Sequence, residues 1–400
     1  MTQSLHRDRN FLIYLLGNAI SWLGTWAQRI GIGWLSWDLS HQASWVGLIS
    51  LAQLLPLIVF GPLFGTLLDR HDHRRYALVV NFALSLLAML LYLLTALHLM
   101  QISVLCAVAF LLGIANSAYQ AVRLAIVNDI VAPEKRAAAI AINSVLFNVT
   151  RAVGPAIAGA IIVRFGVSTA FGVNAVSFIG ILVALLLVRL TPLDVPSSRR
   201  GLAVESLDGL RYVFQQRQLR QVLLLSAVTS VFGRGIVELF PAYADAVFLR
   251  GIRGLAAFTT SAGMGAITGA LILSRARGEM RLVRITSFST LSLGVVVCVF
   301  GLCPSFEFAV AAAGMIGFLV VLCSVGLQVR LQTSVAENYR GRVLGLWIAV
   351  NIAGPGLGGA VAGAAAQVLG LRIVAVVAGL MCLAAVIGIL LPQAKRMLAQ

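Results

Sequence analysis

Read residue by residue, the chain alternates between long apolar runs and short polar intervals. Crossing a hydrocarbon core takes roughly 20 apolar residues at helical rise. Twelve runs meet that length, at residues 10–37, 44–68, 76–97, 103–124, 137–163, 169–190, 220–243, 255–273, 282–302, 308–329, 343–367 and 371–391. One polar interval, 191–219, is much longer than the others and divides the runs into two sets of six. The pattern predicts an all-α membrane protein with twelve transmembrane helices in two pseudo-symmetric six-helix bundles. The bundles occupy 1–190 and 220–400, joined by a central loop over 191–219. Within that loop Leu202–Phe214 predicts an amphipathic segment lying on the membrane surface. Arg7 and Arg9 ahead of the first run imitate a secretion leader. The run continues to about Trp37 without a small-residue cleavage site, so it is read as the first membrane helix.

Composition and charge sharpen this picture. Hydrophobic residues make up 60% and charged residues 11%, against about 25% charged in soluble domains. The charges lean to one sign, with 30 Lys and Arg against 14 Asp and Glu. A nucleic-acid binder gathers such an excess on one face. Here the positives fall in small clusters between apolar runs, the pattern of the positive-inside rule. Numbered from a cytoplasmic N-terminus, the opposite loops hold only Arg164, Arg250, Arg253 and Arg372. Three more, Arg29, Arg151 and Arg234, fall well inside runs, and every other positive lies in the loops or at the run ends of the cytoplasmic side. This asymmetry predicts a multi-pass protein with both termini cytoplasmic. The five cysteines, Cys106, Cys298, Cys303, Cys323 and Cys382, show no metal-ligand spacing and are read as small core residues.

The two halves repeat each other at an offset of 204 residues. Gly61 and Gly65 match Gly265 and Gly269, Val131, Ala132 and Arg136 match Val335, Ala336 and Arg340, Gly154–Ala160 matches Gly358–Ala364, and Gly166 matches Gly370. Repeated halves around a midplane site mark a secondary transporter. Small residues at matched positions let helices approach closely.

The interval after the second run reads Gly65-Thr66-Leu67-Leu68-Asp69-Arg70-His71-Asp72-His73-Arg74-Arg75. It resembles the major facilitator superfamily signature G-x-x-x-D-R-x-x-x-R-[RK], in its expected place between helices two and three. The resemblance implies that Asp69, Arg70, Arg74 and Arg75 clasp the inward ends of neighbouring helices, through charge–dipole contacts and defined ion pairs. At the 204 offset the second half has Leu273 and Ser274 instead, which implies a degraded second clasp and asymmetric gating. Ser21–Arg29, Gly33-Trp34 and Arg340–Trp347 are similar to the enterobactin-exporter-like branch, siderophore and drug exporters of bacterial inner membranes. Gly154-Pro155 and Gly354-Pro355 resemble the glycine-proline signature of proton-coupled exporters, although Thr150 replaces the first glycine of its fuller form.

Polar stripes inside the runs supply the candidate site. Charges within a membrane cost at least ~2.5–3.5 kcal/mol each to insert and are functional candidates by default. In the first run Asn18, Ser21, Thr25, Gln28 and Arg29 share one face of roughly 100°. Asn116, Gln120 and Arg123 stand on the fourth run, and Ser144, Asn148, Arg151 and Pro155 on the fifth. Ser230, Arg234 and Glu238 step by four on the seventh. The predicted substrate contacts are Asn18, Thr25, Gln28, Arg29, Asn116, Gln120, Asn148 and Arg151, in a cavity favouring anionic or acceptor-rich molecules. Two readings stay open for the arginines. Arg29 lines the pathway, or instead bonds backbone carbonyls or closes one end of the cavity, and Arg123 joins it or snorkels to the cytoplasmic surface. Glu238, with Arg234 one turn before it, is the candidate proton carrier or half of a permanent helix pair. Asp38 is a second candidate for coupling.

A membrane enzyme is disfavoured because all five histidines lie outside the runs and no HExxH occurs. An ATP-driven pump lacks its G-x-x-x-x-G-K-[ST] loop. His71 and His73 flank Asp72 but are read as solvated. The sequence predicts a cofactor-free, monomeric, proton-coupled exporter of a small organic molecule such as a siderophore, in contact with lipid and not with nucleic acid. Multidrug efflux of lipophilic compounds and lipid or lysolipid flipping are the alternatives on the same fold.

Overall fold

The structure is a computed structural model that describes residues 8–68, 70–190, 210–275, 279–336 and 339–397. Its long helices are α1 (Arg9–Ser40), α2 (Ala43–Leu68), α3 (His73–Ala96), α4 (Ile102–Ile130), α5 (Arg136–Phe165) and α6 (Val167–Leu187) in the first half. The second half holds α7 (Arg217–Glu238), α8 (Gly251–Ser274), α9 (Glu279–Leu302), α10 (Phe306–Ser334), α11 (Arg340–Leu369) and α12 (Leu371–Met397). No strand occurs among the described residues. Eleven of these helices are long and apolar enough to cross a membrane. The other, α1, has 32 residues and reaches about 48 Å at helical rise. Its polar stripe dilutes its apolar character, so α1 relies on protein neighbours to cover that face.

Helix ends follow local chemistry. Asp72 caps α3, its side chain accepting from the Arg75 backbone N–H at 2.8 Å. Gly166 and Gly370, the last matched pair of the repeat, join α5 to α6 and α11 to α12 with φ of 86° and 80°. A side chain resists that conformation, so glycine is required at both turns.

The seventh run departs from a regular helix. After Arg217–Val228 the chain widens into a π-wound stretch over Thr229–Arg234, resumes as Gly235–Glu238, and continues through Phe240–Ala242 into a second π-wound stretch, Tyr243–Val247. Pro241 has no N–H to offer the Val237 carbonyl, which accounts for the interruption beside Glu238.

By packing, the chain divides into two compact units. The first joins Met1–Leu35 to Leu55–Arg199, and the second joins Ser36–Leu54 to Arg200–Gln400. The tip of the α1–α2 hairpin therefore belongs to the second unit. In the first unit α1 lies on α6 through Gly17, Gly24 and Gly31, spaced seven apart. A Cβ at Gly17 would meet Ala184 at 2.8 Å, and one at Gly31 would meet Phe171 at 2.8 Å. In the second unit α11 lies on α7 through Gly354, Gly358 and Gly359, and on the hairpin tip through Gly363. Gly265 and Gly269 bring α8 onto α10, where a Cβ on either would press on the Gly314 or Phe318 backbone. Their repeat mates Gly61 and Gly65 meet nothing within 4 Å. Matched sequence thus serves two different surfaces.

The amphipathic segment expected over Leu202–Phe214 is described only in its last part. Residues 202–209 lie outside the described residues, and 210–215 form a short helix. Val213 is fully buried with Leu219, Leu331 and Val343, and Tyr212 stacks on Tyr339 at 4.0 Å. This piece docks into the second unit because its apolar side finds a protein partner there.

Gly265→Ala is expected to lower the unfolding temperature in detergent, by an overpacking cost of about 1–3 kcal/mol. Gly61→Ala is expected to leave it unchanged or slightly raised, since its Cβ meets no atom. Equal losses in the two variants would refute the assignment of these surfaces.

Candidate functional site

The first unit holds two arginines at mid-depth. Arg29 is half-buried on α1, its guanidinium carbon 5.6 Å from the Trp26 ring centroid. Arg151, half-buried on α5, lies in the field of Arg29. Their neighbourhood follows from Gly154, where a Cβ would sit 2.7 Å from Trp26. The bare glycine lets α5 close onto α1, three residues from each arginine. Pro155, next to it, has no N–H and so leaves the Arg151 carbonyl without its helical partner.

The rest of the α1 stripe divides between two neighbours. Gln28 is buried and accepts from Asn174 of α6 at 2.8 Å. Asn18 is fully buried and accepts from the Tyr119 hydroxyl of α4 at 3.2 Å. Thr25 donates to the Ser21 carbonyl of its own helix, and Asn116 to the Leu112 carbonyl of its own. Gln120 is half-buried on α4. Asn148 lies on α5 but its side chain is outside the described set. A stripe about 100° wide reaches two packed helices at once, which is why residues grouped by the helical wheel separate here.

In the second unit, Pro355 leaves the Asn351 carbonyl without its N–H partner. Arg234 Nη1 donates to that oxygen at 3.1 Å. Glu238 Oε2 accepts from the Ser50 hydroxyl at 2.8 Å, and its Cβ lies against Gly359. Ser50 belongs to the hairpin tip, as do Ser44 and Gln42, both of which accept from Gln367 of α11. Asp38 is exposed at the end of α1. The acid engaged at that level is Asp245, which accepts from Trp37 Nε1 at 2.8 Å.

Of the signature residues, Asp69 lies outside the described residues. Arg74 donates to the Val188 carbonyl at the end of α6, where a cation is favoured by the helix dipole. Arg70 and Arg75 are exposed. The reading of His73 as solvated is corrected, because its Nδ1 lies 2.6 Å from Asp129 Oδ2 of α4. Asp129 is only 5% exposed. His71 is exposed, and no set of three potential metal ligands gathers among the described residues. Asp129, Asp245 and Ser50 were missed because their partners lie 56, 208 and 188 residues away. With only 14 acids in the chain, listing each acid near a membrane run would have raised two of the three.

Bundled helices carrying polar residues and charges within their membrane runs suit a membrane transporter of small molecules, and the comparisons with known proteins show that class. A family model described as transmembrane secretion effector matches residues 4–399, and the chain belongs to that family of the major facilitator superfamily. It is 24% identical over 336 residues to the staphyloferrin A transporter of Staphylococcus aureus (strain NCTC 8325 / PS 47), covering 81% of each chain. It is 27% identical over 212 residues to the enterobactin exporter EntS of Escherichia coli O1:K1 / APEC, covering 53% of this chain and 50% of that one. Among solved structures, a bacterial homolog of the human lysosomal transporter Spinster, inward-facing and unoccupied, aligns with a TM-score of 0.73. That alignment has 17% identity and covers 96% of this chain and 97% of that one.

His73→Ala leaves the buried Asp129 carboxylate without its donor and is expected to cost about 1–3 kcal/mol of stability, read as a lower unfolding temperature. His73→Gln, which can still donate, is expected to recover much of it. Equal loss in both would assign the effect to packing.

Proposed function

We propose that this transporter is a proton-coupled exporter working by alternating access, and that it carries a small anionic organic molecule of the siderophore class out of the bacterial cytoplasm. The observation that carries this reading is the Arg29–Arg151 pair. Two like charges at mid-depth are costly in a membrane, and an anionic cargo offsets that cost when it docks. The names of the relatives, a staphyloferrin A transporter and an enterobactin exporter, agree with such a cargo. In this reading Arg29 and Arg151 bind the anion, with Thr25, Asn116, Gln120 and Asn148 around it. Asn18 and Gln28 hold the helices that carry them.

The coupling acid in this reading is Glu238. Its carboxylate accepts the Ser50 hydroxyl, and a proton gained there weakens that bond and frees the hairpin tip from α7. The π-wound stretches on either side, Thr229–Arg234 within α7 and Tyr243–Val247 beyond its end, make this part of the chain locally deformable, and such bulges recur at functional positions. Arg234, held by the Asn351 carbonyl, fixes the neighbouring turn. Small residues let helices approach closely, which suits helices that slide or rock past one another. In α2, Gly47 is pressed on Gly359 while Gly61 and Gly65 are bare, and in α11, Gly359 and Gly363 are engaged while Gly341 and Gly345 are bare. The distribution of positive charge supports an inner-membrane location with cytoplasmic termini.

One feature favours a second reading, export of lipophilic compounds or lipid. An apolar groove of about 140 Å³ opens between α7, α11 and α12, lined by Val231, Phe232, Ile236, Val361, Val377 and Met381 among others.

Inverted membrane vesicles energised to an acid interior separate the two. A catecholate siderophore is expected to dissipate the gradient, reported by a pH dye, and Glu238→Gln is expected to abolish that flux. Arg151→Gln is expected to weaken apparent siderophore affinity by about 10–100-fold, the loss of a charge-assisted bond. Flux driven by lipophilic compounds alone, with Arg151→Gln unaltered, would move the assignment to the second reading.

A further inference from the structure

A second set of polar atoms in the first unit is not absorbed by the midplane pair. Tyr14, Asn18 and Trp22 stand at steps of four on one face of α1. Tyr119 and Arg123 stand one turn apart on α4, and Phe147 comes from α5. Trp22 Nε1 donates to the Tyr119 hydroxyl at 2.7 Å. That hydroxyl must therefore send its own hydrogen elsewhere, and it donates to Asn18 Oδ1 at 3.2 Å. The chain of bonds fixes the Asn18 amide orientation, with its oxygen taken by Tyr119 and its Nδ2 turned to the side of Tyr14. The Tyr14 hydroxyl donates to the Arg123 carbonyl at 3.3 Å.

Arg123 sits between rings. Its guanidinium carbon is 4.6 Å from the Phe147 centroid and 5.9 Å from that of Trp22, and the two rings meet edge to face at 5.2 Å. Cation–π attraction holds the guanidinium plane but satisfies none of the N–H groups along its edge. Nε and Nη1 of Arg123 and Nδ2 of Asn18 are buried with no hydrogen-bond partner of ordinary geometry among the described residues. Asn18 is 0% exposed. All three atoms are donors, and buried donors without an acceptor are rare and costly. The polar side chains beside them, Tyr14 and Tyr119, carry no negative charge, and Asp129, six residues along α4, is engaged by His73.

The geometry points to a binding subsite for an anion carried on an aromatic ring, such as an aryl carboxylate or a catecholate. The oxyanion takes the edge N–H groups of Arg123 and the Asn18 amide, and its ring lies with Phe147 and Trp22. Arg123 is seven residues from the end of α4 and Asn18 nine from the start of α1, about 10–14 Å from that side of the helices. Arg29 lies eleven residues farther along α1, about 16 Å deeper, so the subsite is a station apart from the midplane pair. With the cytoplasmic N-terminus of the exporter reading, on which this last step rests, cargo meets Arg123 first and Arg29 with Arg151 next. The resulting ladder of arginines selects aromatic acids before the midplane is reached.

Calorimetric titration of the purified full chain in lipid nanodiscs tests this with three probes. Benzoate carries ring and charge, benzamide the ring alone, and cyclohexanecarboxylate the charge alone. Benzoate is expected to bind at least about 10-fold tighter than either. Arg123→Gln is expected to remove that advantage over benzamide, and Phe147→Leu the advantage over cyclohexanecarboxylate. Phe147→Leu keeps every charge in place, so it decides the matter should Arg123→Gln fail to fold. Unaltered benzoate affinity in either folded variant, or a loss confined to Arg151→Gln, overturns the subsite, as does a parent protein that does not prefer benzoate. The exporter reading is judged separately by the vesicle flux. Absence of siderophore flux with Arg123-dependent benzoate binding intact would refute that reading and leave the subsite standing.

Discussion

In a hydrocarbon solvent every backbone N–H and carbonyl must find its partner inside the protein, and that requirement governs this molecule. It turns each membrane run into a helix, and it makes each break in a helix an event with a chemical consequence. Pro355 shows how directly this works. Its missing N–H creates one acceptor too many at Asn351, and Arg234 donates to it. A substitution in the backbone of α11 thereby decides where a cation on α7 rests, one turn before Glu238.

The arginines at depth are handled in several ways. Arg234 is held by a freed carbonyl, Arg29 by an indole face, and Arg123 by two rings that cover its plane and leave its edge unsatisfied. The chemical identity of the side chain does not change from case to case, and what surrounds it does. Arg74, by contrast, lies where a helix ends and serves that helix's dipole. The same residue type thus comes to rest in different ways according to what the helices around it offer.

Much of the architecture was legible in the sequence because length and hydropathy act over twenty residues at a time, and local noise averages out. Gly166 and Gly370 stood out in the sequence only as a matched pair, and their role as positive-φ turns between helices came from the structure. The site was less legible. The wheel grouped Gln28 with Arg29, yet Gln28 bonds Asn174 across 146 residues of sequence, and no periodicity carries that information. Matched glycines misled in another way. A Cβ on Gly265 would press on α10 while one on Gly61 would meet no atom within 4 Å, because the repeat records what a helix is able to do and not what faces it. The π-wound stretches of α7 were invisible to a reading that assumed one helical pitch throughout.

The division of α1 and α2 between units bears on how the chain could be cut. Ser36–Leu54 packs with the second unit, although it is encoded more than a hundred residues before the rest of that unit. A chain severed within the central loop would yield a first fragment whose hairpin tip has lost its partners and a second fragment lacking the surface that covers Gly359 and Glu238. Co-produced, the fragments have a mutual anchor already built into them; produced singly, each lacks a piece that the other holds. The duplicated halves are therefore repeats in descent and pattern without being separable modules in packing.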